Sequence, residues 1–218
     1  VVGEDSLRSL CYQMDEDQTI GALGVKMLNA EGCFLAESKR SFPSPWVSFC
    51  KLFGLAKLFP YSPFFARYSL PYLNPDKPHC VEVLAGAFML MRHEALDKVG
   101  LLDESFFMYG EDIDLSYRIV QAGYKNLYYP ERLLHYKGES AKQDDKRYIE
   151  AFYGAMLIFY QKYYPNSSGF LRGLIRLAVR LKALTASGKG PAKQKKKGLP
   201  HRRLLVISEA DHFDQVKM

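Results

Sequence analysis

Three acidic side chains lie within four positions of the chain, at Glu111, Asp112 and Asp114. The surrounding sequence predicts a helix from about residue 111 to residue 122, in which Asp112 shares a face with the apolar Leu115. Asp112 therefore points toward the core, beside the apolar run FFMYG that precedes the acids. Burial of an ionised carboxylate is costly unless the group is paired, hydrogen-bonded or open to a polar cleft. A carboxylate in such a position is a candidate general base.

A purely structural role is the alternative interpretation of these acids. Acidic residues in a first helical turn accept hydrogen bonds from unpaired N–H groups and complement the helix dipole. This explains Glu111 and Asp114, and the pattern places Asp114 on the more solvated face, four residues before a possible partner in Arg118. It explains the inward-facing Asp112 less well. Gly123 stands where a helix that ends in a left-handed residue places glycine.

The elements that must position these acids alternate between helix and strand, which predicts an α/β fold. The segment GEDSLRSLCYQMDED predicts a helix with Leu7, Leu10 and Met14 facing inward. Two apolar runs, TIGALGVKML and HCVEVLAGAFMLMR, predict central strands, the second of them covered on both faces. HEALDKVG predicts one amphipathic helix ended by Gly100, and KNLYYP predicts a last strand.

Residues 33–79 are the least regular part of the chain. Seven prolines break any long helix there, and aromatic residues are dense. One helix is predicted, from about Trp46 to Phe59. The segment either packs its rings onto the domain or forms a lid over a binding site, with rings that stack on a ligand or meet a lipid interface. The sequence leaves both interpretations open.

The chain joins an acidic body to a basic C-terminal part. Residues 151–208 hold twelve Lys or Arg and no Asp or Glu, which leaves 18 basic and 24 acidic residues elsewhere, a net charge of −6. Residues 141–186 predict an amphipathic extension of two helices. The first, DDKRYIEAFYGAMLIFYQKYYP, has a dense aromatic and aliphatic face, and the second, FLRGLIRLAVRLKAL, sets three arginines in one stripe beside a broad apolar face. We expect residues 170–203 to contact an anionic membrane surface, with packing on the body as the alternative.

The last part of the chain predicts two further segments. Residues 187–203 have the low-complexity basic composition of a disordered linker, and residues 204–218 predict the start of a further strand and helix, truncated there. A lysine-rich run without structured recognition elements indicates general electrostatics, so no specific nucleic-acid partner is expected.

Several segments together resemble one enzyme family. DESFFMYGEDIDLSYRIVQAGYKNLYYPERLLHYKGES resembles the C-terminal signature of inverting family 2 glycosyltransferases of the GT-A fold, in the style of bacterial rhamnosyltransferases of polysaccharide assembly. IGALGVKMLNAEG and VEVLAGAFMLMRHEALDKVGLLDE match the same family in order and spacing. The resemblance covers about residues 1–140. It implies that this part is the C-terminal half of a GT-A sheet, a Rossmann-like fold of nucleotide-diphospho-sugar transferases.

The resemblance implies roles for single residues. The family's acidic pair falls on Glu111 and Asp112, with Asp112 as the catalytic base that takes the proton of the acceptor hydroxyl. The family's histidine falls on His135, as a ligand of a divalent cation, Mn²⁺ or Mg²⁺. The small-residue strand LAGAFML brings Ala85 and Gly86 to the floor near the sugar.

Three further residues are candidates by their position near these groups. Asp114 is expected to support the site or contact the acceptor, and Lys137 and Ser140 to contact the diphosphate, although exposed lysines ordinarily bind nothing specific. The chemistry is consistent, because a positioned carboxylate activates a sugar hydroxyl and a cation neutralises the departing diphosphate.

These roles imply sugar transfer from a nucleotide-diphosphate sugar to a hydroxyl of a lipid-linked or growing saccharide. The family carries a nucleotide-binding half, closing with an Asp-x-Asp motif, ahead of the matching region. Asp15 and Asp17 have that spacing but lie in a predicted solvated loop. The chain is therefore expected to be a fragment that is inactive alone.

The expected location is cytoplasmic, peripheral on the inner face of the cell membrane. The four cysteines show no metal-binding spacing and are expected to be reduced. The alternative function is a non-catalytic membrane-docking or interaction module, in which the acids are only structural.

Overall fold

A computed structural model shows the arrangement of most of the chain. The residues that it describes are 3, 5–106, 109–135, 146–165 and 173. The predicted basic linker and the final predicted strand and helix lie outside these ranges. So does the second predicted helix of the C-terminal extension, apart from Gly173.

A mixed four-stranded sheet forms the centre of the described part. Strand β1 (Ile20–Leu28) pairs in parallel with β6 (Lys125–Leu134). The outer strands are antiparallel to these two: β3 (His79–Val81) pairs with β6, and β5 (Leu90–Met91) pairs with β1. Helices cover this sheet, so the predicted α/β class is confirmed, and the sheet is consistent with a GT-A, Rossmann-like fold.

A second, two-stranded sheet lies beside the first. It pairs β2 (Lys39–Arg40) with β4 (Val83–Leu84) in antiparallel register. A Cβ on Gly24 in β1 would collide with Leu84, since the ideal position of that Cβ lies 2.8 Å from Leu84 Cδ2. The absence of a side chain at residue 24 therefore allows the two sheets to approach closely.

The prediction of one continuous central strand over HCVEVLAGAFMLMR is wrong. This segment forms β3, β4 and β5, with breaks at Glu82 and after β4. The Glu82 carboxylate accepts a hydrogen bond from the Phe42 backbone N–H (2.6 Å), and the turn after β4 is closed by Phe88 N donating to Ala85 O (3.2 Å). An apolar run is compatible with either arrangement, because hydrophobicity does not specify which strand each residue pairs with.

Helix α1 (Ser6–Glu16) covers one face of β1, where Leu10 and Met14 pack with Leu23 and Val25. The inward positions predicted for Leu10 and Met14 are confirmed.

The inward position predicted for Leu7 is wrong, because this side chain is exposed and Ser6 is buried in its place. The Ser6 hydroxyl donates to Glu131 Oε1 of β6 (2.7 Å). A polar contact between the helix and the sheet therefore takes the position that the periodicity assigned to an apolar residue.

Helix α5 (Glu111–Gln121) covers the other face, where Leu115 and Ile119 pack with Ala22 and Tyr128. Helix α4 (His93–Val99) precedes it. Both helices occupy their predicted positions.

The two glycines that were predicted to end helices do so with left-handed backbone. Gly100 follows α4 with φ of 79°, and Gly123 follows α5 with φ of 90°. These conformations favour glycine, because they carry no steric penalty when a Cβ is absent.

The aromatic segment contains two short helices, α2 (Pro45–Leu52) and α3 (Leu55–Leu58). The single helix predicted from Trp46 to Phe59 is therefore correct in its position, but it is interrupted between Leu52 and Leu55. Gly54 between them has φ of 75°, a left-handed conformation that ends α2.

Helix α6 (Lys146–Tyr163) was predicted from its aromatic and aliphatic face, and it is present. Its residues Ala155 and Phe159 share one buried cluster with Phe106 and Ile113 of the body. None of the helices in the described part of the chain is long and apolar enough to span a bilayer.

Candidate functional site

The start of α5 is built on two consecutive residues with left-handed backbone. Tyr109 has φ of 66° and Gly110 has φ of 91°. A Cβ on Gly110 would lie 2.9 Å from Ala155 Cβ and 2.9 Å from the Phe106 ring, so only glycine fits there. This strained turn lets the helix begin at Glu111 and brings its first turn against β4 and α6.

Asp112 is held from one side only. Its Oδ2 accepts hydrogen bonds from Arg40 Nη2 (2.5 Å) and from the backbone N–H of Gly86 (3.1 Å). Within the described ranges, Oδ1 accepts none. The Asp112 side chain is 13% exposed, so the inward carboxylate predicted from the sequence is partnered and still reachable. The absence of a side chain at Gly86 favours this close contact, since a Cβ there would lie 3.2 Å from Asp112 Cβ and Asp112 would have to shift by a few tenths of an ångström.

Arg40 is the residue that sequence reasoning missed. It comes from β2, and its Nη2 also donates to Leu84 O (3.1 Å), which ties the two-stranded sheet to the carboxylate. Burial would lower the pKa of Arg40, but the charges of Asp112 and Tyr68 outweigh it and raise the pKa. A strand of two residues shows no periodicity, so nothing in the sequence pattern indicated this position.

A small pocket opens beside Asp112. Its walls come from three regions: Arg40 and Pro43, the turn and first residues of α5 (109–113), and Ala155, Met156 and Phe159 of α6. The free volume is about 50 Å³, which is room for a few water molecules.

Two residues that line this pocket each have a buried polar atom without a hydrogen-bond partner in the described part of the chain. The atoms are Arg40 Nε, a donor, and Glu111 Oε2, an acceptor. Burial raises the pKa of Glu111, and the neighbouring Asp112 charge acts in the same direction. Buried polar atoms normally have partners, so a small group that both donates and accepts, such as water or a hydroxyl, suits this position.

Asp114 has a different environment from the one predicted. It is fully buried, because α6 covers the face that the sequence pattern marked as solvated. The predicted partner is confirmed, with Arg118 Nε donating to Oδ2 (2.8 Å). Lys162 Nζ (2.7 Å) and the Tyr163 hydroxyl (2.6 Å) both donate to Oδ1. Burial raises the pKa of Tyr163 to about 12, and the hydrogen bond to Asp114 contributes to the rise. Asp114 is a structural support in this arrangement and has no exposed surface for an acceptor.

Ala85 and Gly86 are adjacent in the chain but lie in different surroundings. Ala85 is buried in the core beneath β1, whereas Gly86 is exposed and touches Asp112. The structure therefore brings Gly86 to the predicted base and leaves Ala85 to packing.

His135 follows β6 and is partly buried. Its backbone N–H donates to Leu28 O (2.8 Å), and no hydrogen bond or ion pair joins it to Asp112 in the described ranges. Among the residues that the structure describes, no three His, Cys, Asp or Glu side chains lie close enough together to hold a metal ion. His135 can supply one imidazole ligand, which does not by itself make a divalent-cation site. Lys137 and Ser140 lie outside the described residues.

Comparison with known proteins places these residues in a family context. The family model described as "Glycosyltransferase like family 2" matches residues 68–153, which contain Gly86, Asp112 and His135. Arg40 lies ahead of the matched segment.

Two curated relatives are similar to the chain. An N-acetylglucosaminyl-diphospho-decaprenol L-rhamnosyltransferase of Mycobacterium tuberculosis is 33% identical over 128 residues, which cover 58% of this chain and 40% of that protein. The low-salt glycan biosynthesis hexosyltransferase Agl10 of Haloferax volcanii is 25% identical over 190 residues, which cover 86% of this chain and 54% of that protein. The chain thus spans about half the length, or less, of the curated relatives it matches. Residues 68–153 of the chain are thus similar to glycosyltransferase family 2, and both relatives are named as sugar transferases.

Proposed function

We propose that the chain is part of a glycosyltransferase that moves a sugar from a nucleotide-diphosphate sugar to a hydroxyl of a lipid-linked or growing saccharide, with inversion at the anomeric carbon. The observation that carries this proposal is the Asp112 carboxylate, which is anchored through Oδ2 while Oδ1 faces no partner in the described residues. The match of residues 68–153 to family 2 supports sugar transfer as the reaction class.

The proposed chemistry needs one group to remove a proton. A sugar hydroxyl is a weak nucleophile, and a positioned carboxylate that accepts its proton lowers the barrier. In this proposal Asp112 Oδ1 accepts the proton as the acceptor oxygen bonds to the anomeric carbon. The bond from that carbon to the diphosphate oxygen breaks, and the nucleoside diphosphate leaves with the electron pair. The proton on Asp112 then passes to solvent.

The pocket supports a hydroxyl as the occupant next to Asp112. Arg40 Nε can donate to a hydroxyl oxygen, and Glu111 Oε2 can accept from a hydroxyl group. Glu111 would therefore contact the acceptor rather than take its proton. The restricted volume is consistent with one edge of a sugar entering the pocket while the rest stays outside.

The acceptor class is suggested by the mycobacterial relative, an N-acetylglucosaminyl-diphospho-decaprenol L-rhamnosyltransferase. A lipid-linked acceptor supports a peripheral position on the cytoplasmic face of the membrane. A divalent cation, with His135 as one ligand, remains a prediction; when bound it would neutralise charge on the departing diphosphate.

The test is a binding screen with UDP, GDP and dTDP by calorimetry, run on this 218-residue chain and on the complete protein, with Mn²⁺ or with EDTA. We expect one nucleotide to bind the complete protein in Mn²⁺ and to lose affinity in EDTA. Product analysis by NMR with the matching nucleotide sugar then reports whether the anomeric configuration inverts.

Two controls keep the result specific. The corresponding nucleoside monophosphate should bind more weakly, because it lacks the second phosphate. Absence of binding by every nucleotide to the complete protein would remove the transferase proposal, and retention of configuration would remove the inverting mechanism.

A further inference from the structure

An exposed aromatic patch lies on the segment that carries α2 and α3. Its members are large apolar side chains that are between 41% and 76% exposed: Trp46, Phe53, Leu58, Phe59, Tyr61 and Phe64. Contiguous exposed apolar surface of this kind is unusual on a protein in water and marks an interaction site. Of the two interpretations that the sequence leaves open for this segment, packing of the rings onto the domain does not hold for the five aromatic side chains of this set, which are exposed.

The patch is a preformed surface. Trp46 contacts Phe49 and Phe64, with ring centroids 5.7 Å and 4.9 Å apart, and Phe49 contacts Phe53 at 4.6 Å. Phe65 links Phe59 to Phe64, at 4.9 Å and 5.2 Å. The rings thus form one connected group that two stretches of chain build together.

The backbone supports this arrangement. Trp46 Nε1 donates to Phe64 O (3.1 Å), which joins α2 to the stretch after α3. The Ser44 hydroxyl accepts from Val47 N and caps α2. Because the exposed rings are held by these contacts, binding to them requires little reordering of the chain.

The charge around the patch indicates the partner. Residues 38–75 contain no Asp or Glu. Of their five Lys or Arg, Lys39 and Arg40 are buried and Arg67 pairs with Glu82, so the positive charge near the patch comes from Lys51 and Lys57. Lys57 is exposed beside Leu58 in α3. Lys51 in α2 is partly exposed and lies over the Tyr68 ring, 3.4 Å from its centroid. Exposed Trp, Tyr and Phe side chains beside lysines, without acids, are complementary to the interface of a bilayer with anionic lipid.

The patch is also close to the Asp112 pocket. Pro43 lines the pocket, and α2 begins two residues later. The Tyr160 hydroxyl of α6 donates to Pro43 O and lies 2.7 Å from the Ser48 hydroxyl of α2. Phe159, next to Tyr160, lines the same pocket. A surface bound through the patch would therefore lie near the carboxylate.

We propose that this aromatic patch inserts into the interfacial region of an anionic phospholipid bilayer and so presents the Asp112 pocket to a saccharide attached to a membrane lipid. The proposed membrane contact is inferred from the patch alone. The proposed delivery of a lipid-linked acceptor rests on the proposed function. If no nucleotide bound the protein, only the delivery of the acceptor would be overturned, and not the membrane contact.

The chain contains a natural probe of this contact, because Trp46 is its only tryptophan. The experiment titrates the 218-residue chain with vesicles of phosphatidylglycerol and phosphatidylcholine, and with phosphatidylcholine alone. With the anionic vesicles we expect Trp46 emission to move to shorter wavelength and to be quenched by lipids brominated on their acyl chains.

The matched variants differ only in which exposed apolar groups they lose. Leu58→Ser, Tyr61→Ser and Phe64→Ser combined should weaken vesicle binding about tenfold or more, because binding strength scales with buried apolar area. Tyr12→Ser, Leu101→Ser and Leu102→Ser combined removes one Tyr and two Leu, also three large apolar side chains, from exposed positions elsewhere and should leave binding unchanged. Circular dichroism establishes that both variants fold.

Three outcomes would overturn the proposal. Vesicle sedimentation with unshifted and unquenched Trp46 would show that the basic C-terminal part alone binds lipid. Equal loss of binding in both triple variants would show that the patch contributes no more to vesicle binding than other exposed apolar residues do. A dimer in which Trp46 is shielded, without vesicle binding, would identify a second copy of the chain as the occupant.

Discussion

Asp112 and Asp114 are two residues apart on α5, and their surroundings are opposite. Asp112 is anchored through one oxygen by Arg40 and Gly86 and faces a pocket. Asp114 is fully buried, with Arg118, Lys162 and Tyr163 occupying both oxygens. The difference teaches that a carboxylate available for chemistry is one whose partners leave an oxygen free. A carboxylate that is satisfied on all sides holds elements together.

Removal of Asp114 should have the largest effect, and the effect should be on stability. Asp114→Ala leaves Lys162 and Arg118 without their shared carboxylate and loosens α6 from α5. We expect the free energy of unfolding to fall by about 3 kcal/mol, which is at the lower end of the losses seen when a buried ion pair is broken. The loss is limited because Lys162 keeps Asp103 and Arg118 keeps Val99 O as partners. Urea unfolding followed by circular dichroism measures it. Asp97→Ala, in an exposed pair on α4, is the control and should change little.

A loss below about 1 kcal/mol for Asp114→Ala would mean that this carboxylate is not the support that the contacts indicate.

Replacement of Asp112 should have the opposite signature. Asp112→Asn keeps the shape and an acceptor for Arg40 but cannot take a proton. We expect kcat of the complete protein to fall by about 10² or more. The unfolding midpoint should fall less than in Asp114→Ala, because the Asn side chain still accepts a hydrogen bond from Arg40. The measurement is initial rate with saturating donor, beside a thermal melt. Turnover at the wild-type rate would exclude Asp112 as the base and would leave its contacts as structural only.

Arg40 tests whether the anchoring of Asp112 matters. Arg40→Ala removes the guanidinium but leaves the Gly86 N–H, so we expect about a tenfold fall in kcat from a less well-positioned carboxylate. Added guanidinium ion should restore part of the rate, which a purely structural defect would not allow.

Lys39→Met is the matched control for Arg40, because Lys39 is the neighbouring buried cation of β2 and donates to Leu70 O (2.6 Å) instead. It should keep its kcat. Equal losses in the two variants, without rescue, would show that β2 needs both cations only to fold.

Glu111 should show the smallest effect, through pH. Burial raises the pKa of Glu111 in the folded protein, so the folded state favours the protonated carboxyl. The free energy of unfolding therefore falls as pH rises above the pKa that this carboxyl has in the unfolded chain. The stability of Glu111→Gln relative to the wild type should therefore be greater at pH 7 than at pH 4. Urea melts at both pH values measure the difference, with exposed Glu94→Gln as control. A difference of the opposite sign would contradict the burial of this carboxylate.

The helices and the order of elements were accessible to sequence reasoning. The apolar period of α5, its glycine stop at Gly123 and the inward direction of Asp112 are local properties, and the structure has all three. The break of HCVEVLAGAFMLMR into three strands was not accessible, because Glu82 interrupts the run through contacts with Phe42 and Arg67 that are distant in sequence.

The candidate site was predicted in part for the same reason. Asp112 and Gly86 were both named and are in contact. Arg40 was missed, since it reaches Asp112 across 72 positions of the chain from a strand too short to show a pattern. The roles of His135, Lys137 and Ser140 remain predictions.

By itself the sequence determined the helices, the central strand, the acidic cluster and the family signature, because each depends on spacing within a few residues. Only the tertiary structure decided which acid serves which purpose. Coverage by α6 turned a face that looked solvated into the buried setting of Asp114, and the approach of β2 and β4 gave Asp112 its two partners. The environment of a carboxylate is set by groups that fold against it from elsewhere in the chain, and no local pattern records them.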